Sequence, residues 1–140
     1  MKSSMSLRNQ ARHTLAKLIV KANVNVGGTE FFSGYDWKEG FIVGDNRTSV
    51  RVKNADVDIS GHTWKCLIDW VEQSHGIYCR KTYLPVVGVG IWTDPDTGII
   101  YLDRVTLTFQ RSVAKELAKL RGEICVWDAA NECAIMTEDL

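Results

Sequence analysis

The sequence predicts an α+β fold, a small antiparallel sheet of hairpins with about three helices, because two periodicities alternate along it. Apolar residues recur at three- and four-residue steps over residues 7–22 and 64–71, the spacing that collects them on one face of a helix. Runs of β-branched and aromatic residues bracket the turn formers Gly44-Asp45-Asn46-Arg47, Asp94-Pro95-Asp96-Thr97-Gly98 and Asp128-Ala129-Ala130-Asn131-Glu132, the pattern of hairpins. A length of 140 residues suits a single domain over residues 1–140 and leaves no room for separate substrate and cofactor domains.

Taken in chain order, Ser4 or Ser6 caps a first helix whose Leu7, Ala11, Leu15, Leu18 and Ala22 form one stripe. Asn25 to Gly28 ends it. The stretch Phe31-Phe32-Ser33-Gly34-Tyr35-Asp36-Trp37 mixes aromatics with turn residues and suggests a packed loop or an irregular strand. Phe41–Val43 and Ser49–Val52 flank the first turn cluster as a hairpin. From Thr63 to His75 the period is helical, with Trp64, Leu67, Ile68 and Val71 inward and Gly76 placed for a left-handed cap. Val86–Trp92 and Ile99–Phe109 form a long hairpin about the Pro-Asp-Thr-Gly turn. Ser112 then caps a helix with Val113, Leu117 and Leu120 inward and Gly122 after its end. A short hairpin of Ile124–Trp127 and Cys133–Met136 completes a β-β-α-β-β C-terminal half.

Composition narrows the function classes. Seventeen basic and seventeen acidic residues cancel, so the strong positive field of a dedicated nucleic-acid binder is missing. The charges are nevertheless segregated: Lys2, Arg8, Arg12, Lys17 and Lys21 give residues 1–22 a charge of +5, and the remainder sums to −5. Residues 1–22 thus predict a basic amphipathic helix, either packed on the domain or standing off as a peripheral arm, and its Arg8, Arg12, Lys17 and Lys21 suit nucleic-acid phosphates. The ordinary alternative is a solvated face. Cys66, Cys79, Cys125 and Cys133 make no Cys-x-x-Cys pair and are expected reduced. No apolar run approaches the roughly 18 residues of a membrane span. A secretory signal is not expected; the acid-free N-terminus also has the composition of an organellar transit peptide, and otherwise the protein is expected in the cytoplasm.

Catalytic signatures are sparse. No phosphate-binding glycine loop, Gly-x-Ser-x-Gly elbow or His-Glu-x-x-His pair occurs, and Gly88-Val89-Gly90 lies inside a strand, where glycine marks a bulge or a close backbone approach. No cofactor is expected. His62, Cys66, His75 and Cys79 form two His-x3-Cys pairs that suit zinc only if the strand after Gly76 folds back over the helix. The plainer expectation is no metal, with Cys79 a small core residue and the histidines solvated. Cys66 with His62 also offers a nucleophile and base for a small enzyme. Asp103 shares a strand face with Ile99, Tyr101, Val105, Leu107 and Phe109 if alternation is unbroken. A bulge at Asp103-Arg104 would turn it outward; without one, Asp103 faces a ligand or partner, with Arg104 beside it. Asp94 and Asp96 are expected as turn formers. Of the five tryptophans, Trp64, Trp92 and Trp127 are expected in the core, whereas Trp70, off the helical stripe, and Trp37, beside Tyr35, are expected at an interface.

The pattern Trp92-x-Asp94-x-x-Thr97-Gly98-x-x-Tyr101-x-Asp103, followed by a short helix and Gly122-Glu123-x-x-x-Trp127-Asp128, resembles the C-terminal half of small proteins encoded by phages and prophages, over about residues 86–136. The resemblance implies an accessory role for a mobile element and carries no catalytic residues. The expected function is therefore a non-enzymatic interaction protein, an inhibitor of host machinery such as a defence system that occupies a protein surface or a ligand, and that self-associates as a homodimer. Nucleic-acid binding through the basic helix and Cys/His catalysis are the alternatives.

Overall fold

The computed structural model describes residues 6–25, 27–80 and 87–140. The elements are α1 (Leu7–Asn25), β1 (Gly27–Phe31), β2 (Phe41–Lys53), α2 (His62–Arg80), β3 (Val87–Thr93), β4 (Ile99–Thr108), α3 (Arg111–Arg121), β5 (Cys125–Asp128) and β6 (Cys133–Met136). The strands join in one antiparallel sheet of order β1-β3-β4-β2-β5-β6. The fold is α+β, and its C-terminal half runs β-β-α-β-β.

All three helices lie on one face of that sheet. Ala11, Leu15, Leu18 and Ala22 of α1 and Leu67, Ile68 and Val71 of α2 pack on Val89, Ile91, Ile100 and Leu102. Ala114 and Ala118 of α3 pack on Val43 and Val126, and Val43 pairs with Thr106, which has the parity of Leu102 on β4. Ser6 caps α1 by accepting a hydrogen bond from the Asn9 backbone N–H at 3.2 Å; Ser4 and Lys2 lie outside the described residues. Because Leu15 and Leu18 are fully buried, α1 supplies one wall of the main core. Among the described residues, no helix is long and apolar enough to cross a membrane.

Four local expectations need correction. The hairpin at Gly44–Arg47 does not form, because both halves of β2 pair with β4, Asp45 opposite Arg104 and Val50 opposite Leu102. The turn formers build an excursion within one strand: the Asp45 carboxylate accepts the Arg47 N–H at 3.2 Å, the Thr48 hydroxyl donates to the Asp45 carbonyl at 2.7 Å, and Glu123 accepts the Asn46 N–H at 2.7 Å. Gly76 does not end α2, which continues to Arg80. Burial of Ser74 and His75 beyond Val71 outweighs the roughly 1 kcal/mol that glycine costs a helix. Ser112 is not the cap of α3, which starts after Gln110, and its inward residues are Ala114 and Ala118 while Val113 and Leu120 are exposed. Small side chains let that helix approach the sheet closely. Finally, residues 27–31 form a strand that pairs with β3, where only a helix end was expected. By contrast, Gly122 takes φ 68° as the left-handed cap of α3.

Candidate functional site

Opposite the helices, the sheet has an open face whose composition follows from strand register. Arg51, Tyr101, Trp92 and Gly27 occupy one line across β2, β4, β3 and β1. The Arg51 guanidinium lies 5.5 Å from the Tyr101 ring centre, and Tyr101 stacks on Trp92 at 5.3 Å with an interplanar angle of 30°. A cation and two aromatic rings thus form a ladder, in a geometry that is favourable at each step. It ends on Trp92, which is 50% exposed, because the next position on the line is glycine. One line further, Asp103 faces Gly90 and Thr29. Beyond that, Phe31, Val105 and Leu107 form an apolar cluster with Ile42 and Trp37.

The loop at 32–40 folds back over this cluster. Its Trp37 meets Phe109 edge-on at 5.5 Å and Tyr35 at 5.6 Å, and its indole N–H donates to the Ser33 hydroxyl at 3.4 Å. With Trp127 of β5 and the β5–β6 turn, the loop walls a cleft of about 840 Å³ over the β1–β3–β4 floor. That volume is of the size that holds a small organic ligand.

Asp103 is the one carboxyl group on the cleft floor and accepts a hydrogen bond from the Ser49 hydroxyl. Burial pushes its pKa above the ordinary carboxylate value, the Ser49 bond opposes that, and the charge of Asp45 adds to the rise. Burial likewise raises Glu123, beside the Gly44 position that Asp103 also borders. Asp45, on the helix side, is held low mainly by its bond from Arg47, with help from Arg121. Arg121 reaches from α3 to donate to the Val43 carbonyl at 3.0 Å and the Thr106 hydroxyl at 2.8 Å. This network fixes the β2 excursion that carries Ser49, and so fixes one oxygen of Asp103.

The expected site residues divide between the two faces. Trp37 and Asp103 line the cleft, and Tyr35 stands exposed beside Trp37. Trp70 and Arg104 do not join them. Trp70 packs against the main core with Arg104 5.7 Å over its ring, and Arg104 Nε donates to Ser74 at 2.8 Å. The bulge expected at Asp103-Arg104 is absent from β4, which keeps alternation against β3 throughout; the irregularity sits in β2 instead, so Asp103 and Arg104 point to opposite faces. On α1, Arg8 pairs with Asp69 and Glu72 of α2, and Lys21 pairs with Glu30 at 2.9 Å and caps the Thr29 carbonyl at 2.6 Å. Those two cations are committed within the protein, while Arg12 and Lys17 are exposed.

The four His and Cys residues also separate. His62 Nε2 and Cys66 Sγ lie 3.3 Å apart on the exposed side of α2. His75 lies thirteen residues along the same helix, roughly 20 Å at 1.5 Å per residue, and the side chain of Cys79 lies outside the described residues. His75 is buried beside Phe32, not solvated, and burial lowers its pKa. Among the described residues no three His, Cys, Asp or Glu groups converge on a metal position.

Trp92 and Trp127 are cleft residues that sequence reasoning placed in the core, and Tyr101 is one to which it gave no binding role. Hairpin parity was the available signal, since the turn at 94–98 sets Trp92 opposite Tyr101 and gives Tyr101 the parity of Asp103. Compared with known proteins, the chain matches no family model, no curated protein and no solved structure.

Proposed function

We propose that this is a non-enzymatic binding protein whose working surface is the open face of the sheet. In this reading it is a cytoplasmic accessory factor of a phage or prophage that acts on host machinery, such as a defence system, by occupying a ligand or a protein surface. The observation that carries the proposal is the Arg51–Tyr101–Trp92 ladder, because a half-exposed tryptophan at the end of a preformed stack offers aromatic area without ordering cost. Trp92 belongs neither to the core clusters on the helix side nor to the Phe31–Val105–Leu107 cluster on its own face. The mobile-element origin rests on the sequence resemblance of residues 86–136. A homodimer belongs to the same proposal and is supported by exposed Ile124 and Met136 beside the β6 edge and by exposed Leu120 on α3.

The test is a pull-down from host extract with wild type, Trp92→Ala and Trp70→Ala, read by native mass spectrometry and by recovery of bound small molecules. A stoichiometric species lost with Trp92→Ala and retained with Trp70→Ala is expected. Retention by Trp92→Ala would refute the assignment of the surface. Light scattering over a concentration series checks the dimer, which a mass of one chain at high concentration would exclude.

A further inference from the structure

The outer side of α2 carries a pair of metal-ligating groups that the open face of the sheet does not use. His62 is the first residue of the helix and Cys66 stands four residues on, one turn further along the same face. Both are exposed, and the imidazole Nε2 lies 3.3 Å from the Cys66 sulfur. Of the exposed thiols Cys66, Cys125 and Cys133, it is Cys66 that meets an imidazole among the described residues. Cysteine is among the residue types most often buried, yet Cys66 belongs to none of the core clusters. Zinc bonds a thiolate at about 2.3 Å and an imidazole nitrogen at about 2.0–2.1 Å, and a tetrahedral angle between those bonds sets the two ligand atoms about 3.6 Å apart. The separation of His62 and Cys66 is close to that edge, so one ion reaches both after small side-chain rotations. Two ligands fill half of a tetrahedral shell. Asp69, the next carboxylate along this face, is held by Arg8, and among the described residues no third His, Cys, Asp or Glu converges here. The other half of the shell has to come from another molecule.

We propose that His62 and Cys66 are one half of a zinc site that the same pair from a second copy of this chain completes. Two imidazole nitrogens and two thiolates make the closed four-ligand set of structural zinc sites, and a two-fold axis through the ion supplies that set from one pair per chain. Each thiol gives its proton to solvent on binding, and the two thiolates balance the charge of the ion. Each ring keeps its proton on Nδ1 and offers the Nε2 lone pair. Sulfur and imidazole ligands select zinc over magnesium and calcium, which take oxygen. The contact lies on α2 and requires the metal, so it is separate from the metal-free pairing proposed at the β6 edge and does not depend on the open face.

The experiment titrates the full chain, purified without an affinity tag and kept reduced with a phosphine, with zinc chloride and then with EDTA, following native mass spectrometry and light scattering. One zinc per two chains is expected, with a mass at least double that of the metal-free chain and a return to the starting mass on chelation. Reading the mass against the metal-free chain counts any association at the β6 edge separately. Cobalt in place of zinc should give the visible absorption of a tetrahedral ion together with a thiolate charge-transfer band, which reports the ligand set on the wild type alone. His62→Gln and Cys66→Ser should each lose the metal and the mass change, with circular dichroism confirming that both fold, whereas Cys125→Ser and Cys133→Ser should keep them. No bound zinc, one zinc per chain without a change in mass, a cobalt spectrum lacking the thiolate band, zinc retained by His62→Gln or Cys66→Ser, or zinc lost from Cys125→Ser or Cys133→Ser would overturn the inference.

Discussion

Asp103 shows how one side chain takes its properties from two strands at once. Parity on β4 places it on the open face, and the β2 excursion brings Ser49 to it. Its ordinary pKa is 3.8 and burial raises it in the folded chain, so the folded state holds this proton to higher pH than the unfolded state does. Its contribution to stability is fully present below about 3.8 and is lost as pH rises through the folded value. Asp103→Asn removes that dependence and keeps an acceptor for Ser49. Melting curves between acid and neutral pH should show the variant gaining on wild type as pH rises, and a gap that stays constant would contradict the burial of the carboxyl. Arg121 has the opposite role, since it satisfies two backbone carbonyls and the Thr106 hydroxyl besides facing Asp45. Arg121→Met leaves those acceptors partly desolvated, and chemical denaturation should report a loss of about 2–3 kcal/mol.

At the scale of elements, packing decides outcomes that local propensity leaves open. Ala114 and Ala118 are fully buried under α3 while Leu120 is 75% exposed, the reverse of what side-chain size suggests. Ala118→Leu should therefore destabilise by about 1–3 kcal/mol through overpacking, and Leu120→Lys should change stability by no more than about 0.5 kcal/mol; thermal melts of the pair distinguish this arrangement from a Leu120-inward helix. At β3, a Cβ on Gly88 would sit 2.3 Å from the Glu30 carbonyl oxygen of β1. Gly88→Ala should separate these strands and cost at least about 2 kcal/mol, seen as a lower denaturation midpoint. The long β3–β4 hairpin, the β5–β6 hairpin and the stripes of α1 and α2 were legible because alternation or helical period, and for the hairpins turn chemistry, agreed there. The β2 excursion was not, because its residues have the composition of a turn and only pairing of both halves with β4 makes it one strand. Gly76 misled for a similar reason, since burial of Ser74 and His75 is a tertiary fact. Of the cleft, Trp37 and Asp103 were legible. Trp92 and Trp127 were not, because a tryptophan in a strand reads as core until the helices are known to cover only the opposite face.

For the whole molecule, the arrangement of tryptophans follows from this one-sided architecture. On one face α1 and α2 bury Leu15, Leu67 and Leu102 together and α3 covers Val43 and Val126, which leaves the other face to a loop, a turn and an aromatic ladder. Trp64 and Trp70 flank the core on the helix side, whereas Trp37, Trp92 and Trp127 line the cleft. The protein thus carries its own reporters of which face is engaged. The most direct measurement is the two-dimensional NMR spectrum of the five indole N–H groups, recorded as the small-molecule fraction of host extract is added to the labelled full chain. Shifts confined to Trp37, Trp92 and Trp127 are the predicted result, and shifts confined to Trp64 and Trp70 would contradict the assignment of the open face as the binding surface.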